Sequence, residues 1–199
     1  MASKQHERVV RAVRRLAAEG GLPAVQMREV AASADLPLGS VRHVFPSKDE
    51  MLAGLAVDVV EQARARADYC AKPTVTYQRM KRLLPLKDDE IEQVRLEHLM
   101  HQHSADPNLR SDVREAFRRA SQASRRLVGA TCEGVLELAH RATFNSVARP
   151  TTRREVTDLI ATIEGLRMHL AFPASAALSS AEAAGVIRGV SDRLSGRRS

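Results

Sequence analysis

The sequence is poor in cysteine, in aromatic residues and in long apolar runs. Its two cysteines, Cys70 and Cys132, are far apart and form no pair with metal-ligand spacing. The longest apolar run, from Leu170 to Leu178, is interrupted by Pro173 and falls far short of the roughly 18 residues that cross a bilayer. Charged residues occupy the positions where an export signal needs its apolar segment. These absences predict a soluble, reduced, cytoplasmic protein.

Catalytic and cofactor motifs are also lacking. No paired carboxylates stand beside a histidine on one predicted helix face, and there is no nucleophile motif or glycine-rich phosphate loop. His98, His101 and His103 include an i, i+3 pair that could bind a metal, but no carboxylate or thiolate stands at suitable spacing. We therefore expect no enzyme, no cofactor and no metal, with an all-helical enzyme or metal-binding protein as the competing class.

Helix-forming residues and positive charge are abundant instead. Hydrophobic residues make up 44% of the 199 residues, which argues against disorder, and Ala, Leu, Arg and Glu dominate. The net charge is +7, and residues 1–48 alone carry eight Lys/Arg against four Asp/Glu, which is +4. A basic N-terminal quarter suits a partner with a phosphate backbone.

The segment from Gln26 to Lys48 has the pattern of a helix-turn-helix. Apolar residues recur at helical spacing up to Ala34, and Asp35-Leu36-Pro37 then breaks the pattern, because proline lacks an amide proton and disfavours helix before it. A second short apolar run follows from Leu38 to Phe45. Two short helices around a three-residue turn have the dimensions of a DNA-reading unit.

The rest of the chain is predicted to be helical as well. Apolar stripes and capping signals predict helices near residues 4–19, 47–69, 74–84, 88–104, 109–138, 153–171 and 180–194, with a loop over 145–152. The fold class is therefore all-α. A three-helix helix-turn-helix domain of residues 1–50 joins, through a connecting helix, a larger regulatory and dimerisation domain of residues 51–199. Arg8, Arg11 and Arg15 share the polar side of the first helix and are interpreted as a solvated face, with phosphate steering as the alternative.

The order of motifs resembles the TetR-type transcriptional regulators. The resemblance rests on Arg28-Glu29-Val30-Ala31, Gly39-Ser40-Val41 and the stretch from Phe45-Pro46-Ser47-Lys48 to Leu52. It continues more loosely through the run Glu164–Leu170, which looks like the helical regulatory domain of one TetR subgroup. The resemblance implies a regulator that is not an enzyme.

Individual roles also follow from the resemblance. It implies that Arg28 reaches DNA, that Gly39 and Ser40 allow close approach to the groove, that Lys48 holds a phosphate and that Phe45 is core. The predicted DNA-binding residues are Gln26, Arg28, Leu38, Gly39, Ser40, Arg42, His43 and Lys48. Four positions depart from the family pattern, namely Gln26, Pro37, Arg42 and Val44. Arg42 can bind a guanine edge bidentately, which is worth about 1–3 kcal/mol of discrimination, so we expect an altered operator preference.

Two further sites are expected in the helical remainder. The residues that could line a ligand cavity, and are otherwise core, are Met80, Met100, His103, Phe117, Phe144 and Met168. The predicted dimer interface lies on the last two helices, because the first is apolar on more than one side and the second carries Gly185 and Gly189 four apart. Its residues are Ile160, Ile163, Leu166, Leu170, Val186, Ile187, Val190 and Leu194.

The sequence thus predicts a homodimeric, ligand-responsive transcriptional regulator, most simply a repressor, that binds a palindromic operator. Its partners would be double-stranded DNA, a small-molecule effector and a second copy of the chain, without a membrane. The alternative of the same class is a DNA-binding dimer without a ligand, whose signal is a partner protein.

Overall fold

The described parts of the chain are helical throughout. The computed structural model describes residues 4–72, 75–143, 152–173 and 178–194, and it contains nine helices and no strand within these ranges. The helices are α1 Lys4–Ala24, α2 Met27–Ala34, α3 Leu38–Val44, α4 Lys48–Ala71, α5 Thr76–Leu83, α6 Asp88–His103, α7 Ser111–Thr143, α8 Arg153–Ala171 and α9 Ser180–Leu194. The predicted all-α class is confirmed.

Side-chain caps explain where the last two helices begin. At α9, Glu182 N–H donates to Ser179 Oγ at 3.2 Å, and Ser179 N–H donates to a Glu182 carboxylate oxygen at 2.8 Å. This is the predicted reciprocal cap. An equivalent cap joins Thr152 and Glu155 at the start of α8. The sequence pattern of that cap was overlooked, and the rest of the predicted 145–152 loop lies outside the described residues.

The main body of α1 ends at Gly21, where the sequence predicts the end of the first helix. Gly21 has φ +68°, a left-handed conformation that glycine adopts without steric cost, and it separates the main body of α1 from a last turn that contains Pro23. Val25 and Leu22 then turn into the core, where they are 0% and 7% exposed. The chain is thereby directed from α1 into α2.

The chain forms two compact units whose boundaries differ from the predicted division at residue 50. The first unit comprises Met1–Gln62 and Arg95–Ser124, and the second comprises Ala63–Val94 and Arg125–Ser199. The first unit is therefore built from two separate stretches of sequence. Apolar periodicity shows that a helix is amphipathic but does not show which helices its apolar face meets, so this organisation could not be predicted.

The core of the first unit joins α1–α4 to parts of α6 and α7. Val9, Val30 and Leu52 are buried there together with Leu96 and Phe117, all at 0% exposure. α1 packs against α2 and α3, and α2 packs against α3. The helix-turn-helix thus rests on a core that includes residues far along the chain.

The core of the second unit is apolar with buried ionic groups at its margin. α5 packs against α8 and α9, and Met80, Ile163 and Ile187 are fully buried. Arg66 bonds a carboxylate oxygen of Glu90 at 2.8 Å, with both side chains less than one-fifth exposed. Arg66 also donates to the carbonyl oxygens at the end of α5 and just after it, which ties the end of α4 to the α5–α6 connection.

Hydropathy gives no membrane-crossing segment among the described helices. None of them combines the length and the apolar character that a bilayer span requires.

Candidate DNA-binding site

The third helix is held by its inward face. Val41 is 0% exposed and Phe45, which follows the last residue of α3, is 8% exposed. The ring of Phe45 lies 5.4 Å from the ring of His6 on α1, centroid to centroid. On its other side, a β-carbon placed on Gly54 of α4 would come within 2.7 Å of the Phe45 ring. The absence of a side chain at Gly54 therefore makes room for the ring that anchors α3.

The turn between α2 and α3 adopts a left-handed conformation at one non-glycine residue. Asp35 has φ 50° and ψ 55°, and its N–H donates to the carbonyl oxygen of Ala32 at 3.1 Å. Leu36 N–H donates to the carbonyl oxygen of Ala31 at 3.0 Å, which completes a pattern typical of helix ends. Pro37 occupies the cap position of α3 and makes no side-chain capping bond.

The outward face of α3 carries a short row of exposed residues. Gly39, Arg42 and His43 are spaced i, i+3 and i+4, and all three are exposed. Beyond the nearby backbone of α3, none of the described residues has an atom within 4 Å of a β-carbon placed on Gly39. Ser40 and Leu38, which were predicted to contact DNA as well, are partly buried at the edge of this row.

Three more predicted DNA-binding residues lie outside α3. Arg28 is exposed in the first turn of α2, and the exposed Gln26 just before it donates through Nε2 to the carbonyl oxygen of Pro23 at 2.9 Å. Lys48 Nζ donates to the carbonyl oxygen of Leu22 at 2.9 Å. An ammonium group has three N–H donors, so this bond leaves two for another acceptor.

The arginines of α1 are more engaged with their neighbours than a solvated face would be. Arg15 donates to the hydroxyl oxygen of Ser33 on α2 at 2.6 Å. Arg14 forms an ion pair with Asp58 of α4, with both side chains at most one-fifth exposed. Arg8, Arg11 and Arg15, which were predicted to share a solvated face, are all exposed. The tying of α1 to α2 and α4 through these side chains was not predicted, because it depends on which helices meet.

The predicted ligand-cavity residues do not gather in one unit. Met100 and Phe117 are fully buried in the core of the first unit, and His103 there bonds Asp106 at 3.0 Å. Met80 is fully buried in the second unit, where Met168 is partly buried. Phe144 lies outside the described residues. The cavity thus stays a prediction, and the described residues of this set belong to two different units.

The predicted dimer interface divides into buried and accessible residues. Ile163, Leu166 and Ile187 are 0%, 6% and 0% exposed within the core of the second unit, so their side chains are already covered by the chain itself. Their assignment to an interface stays a prediction, because a stripe that is apolar on two sides does not show which side is covered by a partner. Val186 is 41% exposed, and the remaining four are partly buried, namely Ile160, Leu170, Val190 and Leu194.

The histidine and cysteine side chains have separate environments. His101 Nδ1 lies 3.2 Å from the hydroxyl oxygen of Ser121, whereas His103 bonds the carboxylate of Asp106. The described residues contain no cluster of three His, Cys, Asp or Glu side chains that could hold a metal. Burial raises the pKa of the Cys132 thiol to about 12 and also raises the pKa of Cys70, so both cysteines are structural thiols.

Comparison with known proteins relates the helix-turn-helix to a family of bacterial regulators. The sequence profile described as "Bacterial regulatory proteins, tetR family" matches residues 9–55. Residues 9–55 therefore form a DNA-binding segment of the TetR type. A 78-residue stretch is 36% identical to the HTH-type transcriptional repressor KstR of Mycolicibacterium smegmatis, covering 39% of this chain and 38% of that protein. The match thus spans less than two-fifths of the relative's length.

Solved structures share the fold over nearly the whole chain. A transcriptional regulator from Rhodococcus sp. Rha1 matches with a TM-score of 0.64 and 22% identity, covering 94% of this chain and 96% of the other. A Saccharomonospora viridis protein in complex with choline matches with a TM-score of 0.69 and 18% identity, covering 94% and 95%. The helices beyond the matched TetR segment therefore also have the architecture of known regulators.

Proposed function

We propose that this protein is a cytoplasmic, homodimeric transcriptional repressor of the TetR type. It would bind a palindromic operator and respond to a small ligand. The observation that carries the proposal is the outward face of α3, where Gly39, Arg42 and His43 are exposed on a helix that Val41 and Phe45 anchor from behind. A basic, exposed helix face with a rigid support is what reading the major groove requires.

The cations of the helix-turn-helix divide into base-reading and positioning roles. Arg42 lies in the middle of the exposed row, where its guanidinium can bind the two acceptors of a guanine edge. The exposed Arg28 and the partly buried Lys48 lie in the first turns of α2 and α4, where they suit phosphate oxygens. Lys48 is already oriented by its bond to the carbonyl oxygen of Leu22. A fixed ammonium loses little conformational entropy when it binds a phosphate.

A second copy of the chain would pair through the accessible side of α8 and α9. Ala161 and Gly165 on α8 and Gly185 and Val186 on α9 are all exposed. Within the described part of the chain, and apart from each helix's own nearby backbone, no atom lies within 4 Å of a β-carbon placed on Gly165 or Gly185, so both glycines are accessible to a partner. Pairing would place two recognition helices about one DNA turn, roughly 34 Å, apart, which matches a palindromic site.

An effector would act by binding one conformational state of the dimer more tightly than the other. The support for a ligand is the shared fold with a protein crystallised with choline, whose ligand need not be the ligand here. A thermal-shift screen of small molecules tests this part, because a ligand that binds only the folded state raises the midpoint. A screen without a hit, together with a partner protein that releases DNA, would favour the ligand-independent alternative.

The test of DNA binding is a mobility shift on DNA upstream of the protein's own gene at moderate salt. We expect a band that unlabelled specific DNA removes and unrelated DNA does not. A protein that binds both alike would refute the regulator proposal. Arg42→Ala should relax base preference, whereas Lys48→Ala should weaken binding to all sequences and lower the salt slope by about one. If both variants behaved alike, the division of roles would be wrong.

A further inference from the structure

Arg8 of α1 is bonded to the turn of the helix-turn-helix. Its Nη2 donates to the carbonyl oxygens of Ala34 and Asp35, each at 2.7 Å. The same nitrogen lies 3.4 Å from a carboxylate oxygen of Asp35. The side chain therefore reaches from α1 across 26 residues of sequence to the last carbonyl groups of α2.

These carbonyl groups are the ones that a helix leaves without partners. The last four carbonyl groups of an α-helix have no intrahelical donor, and their partial negative charge attracts a cation. Asp35 is the one described residue other than glycine with a positive φ. A left-handed backbone is unfavourable for such a residue unless surrounding contacts hold it. Arg8 supplies contacts of this kind, because it bonds the carbonyl groups on both sides of the strained residue.

The direction of α3 depends on this turn more than the start of an ordinary helix would. Pro37 gives α3 no side-chain cap, and α3 has only seven residues. Its buried anchors are Val41 at its middle and Phe45 just beyond it, whereas Leu38 in its first turn is only partly buried against the core. The position of the first turn, where Gly39 and Ser40 lie, therefore depends strongly on the backbone that arrives from Asp35.

We propose that Arg8 is a positioning residue for the recognition helix, and that it acts through the Ala34–Asp35 turn rather than by binding a phosphate itself. This inference rests on the proposed DNA-binding function. Arg8 is exposed, so its bonds to the turn add a role to the predicted solvated face. Arg11, one turn further along the same helix, is exposed and provides a matched control of equal charge.

The experiment compares Arg8→Ala with Arg11→Ala by fluorescence anisotropy on operator and unrelated DNA over a range of salt concentrations. Arg8→Ala is expected to lose about tenfold in affinity for the operator, with little change on unrelated DNA and an unchanged salt slope. Arg11→Ala should show no such selective loss. Adding Asp35→Gly to Arg8→Ala should restore much of the operator affinity, because glycine adopts a positive φ without strain.

A second readout does not depend on DNA. In the free protein, Arg8→Ala should increase amide hydrogen exchange at residues 35–41 at least several-fold, and exchange in the core of α1 should stay unchanged. Equal losses on both DNAs, with a salt slope lower by about one, would show a direct phosphate contact and overturn the inference. Unchanged operator affinity and unchanged exchange would also overturn it. If the wild-type protein itself lacks operator preference, the proposed function fails, and the exchange result still decides the role of Arg8.

Discussion

Adding one methyl group at Gly39 is expected to make the protein more stable and a weaker DNA binder. Apart from the nearby backbone of α3, no described atom lies within 4 Å of a β-carbon at this position, and Gly39 has no positive φ, so alanine fits the folded chain without strain. Such a replacement stabilises a protein by about 0.4–1 kcal/mol, mainly because it restricts the unfolded chain. For a chain of this size, that corresponds to a rise of about 1–4 °C in the unfolding midpoint.

The same methyl group should obstruct the groove. If Gly39 approaches the DNA backbone closely, an extra carbon overpacks the contact, which typically costs about 1–3 kcal/mol. The affinity for the operator should then fall between about fivefold and 150-fold. Differential scanning calorimetry and fluorescence anisotropy measure the two effects on one protein preparation.

The matched control is Gly129→Ala in α7. A β-carbon there would lie 3.8 Å from the Ile160 side chain, an ordinary contact distance, and Gly129 belongs to the second unit. The control should gain stability and bind DNA unchanged. A Gly39→Ala protein that is more stable and binds DNA as well as the wild type would refute the placement of Gly39 against DNA. A Gly39→Ala protein that is less stable than the wild type would refute the claim that Gly39 has room for a methyl group.

Two other perturbations test the packing of the two units. Gly54→Ala should lower the free energy of unfolding by about 1 kcal/mol. Overpacking against the Phe45 ring costs about 1–3 kcal/mol, and the gain in helix propensity offsets part of that cost. A denaturant titration in which the variant is more stable than the wild type would contradict this. Iodoacetamide at pH 8 should label Cys132 far more slowly in the folded than in the unfolded protein. Since folding raises the pKa of the Cys132 thiol from 9.0 to about 12, the stability that this thiol contributes is present below pH 9 and is lost as the pH rises towards 12. Cys132→Ala should reduce this loss of stability at high pH. An equal loss in the variant and the wild type would contradict the assignment to Cys132.

Local sequence patterns sufficed to predict which segments are helical. The bounds of α8 and α9 were predicted from regular apolar stripes, with a capping signal at α9, and Asp35-Leu36-Pro37 located the turn before α3. These features depend on neighbours within about four residues. The resemblance to TetR-type regulators likewise rests on motifs that are contiguous in sequence, and the family model matches that same segment.

Long-range pairing was beyond the sequence. Arg8 looks like any exposed arginine until the fold brings Ala34 and Asp35 beside it. Ile163 and Ile187 look equally suited to a core and to an interface, because both demand an apolar side chain. The correct choice depends on which helix covers which face, and periodicity carries no information about that.

The two-part construction of the first unit limits how such a regulator can be recombined. Leu96, Met100 and Phe117 lie far from the helix-turn-helix in sequence but are fully buried in its core. A genetic crossover near residue 50 would exchange the helix-turn-helix segment between related genes. The new segment would then have to pack against core residues from a different protein. New operator specificity is reached with less disruption by point substitution at exposed positions such as Arg42 and His43. The fold thus favours a change of DNA specificity by surface mutation over the exchange of whole helix-turn-helix segments.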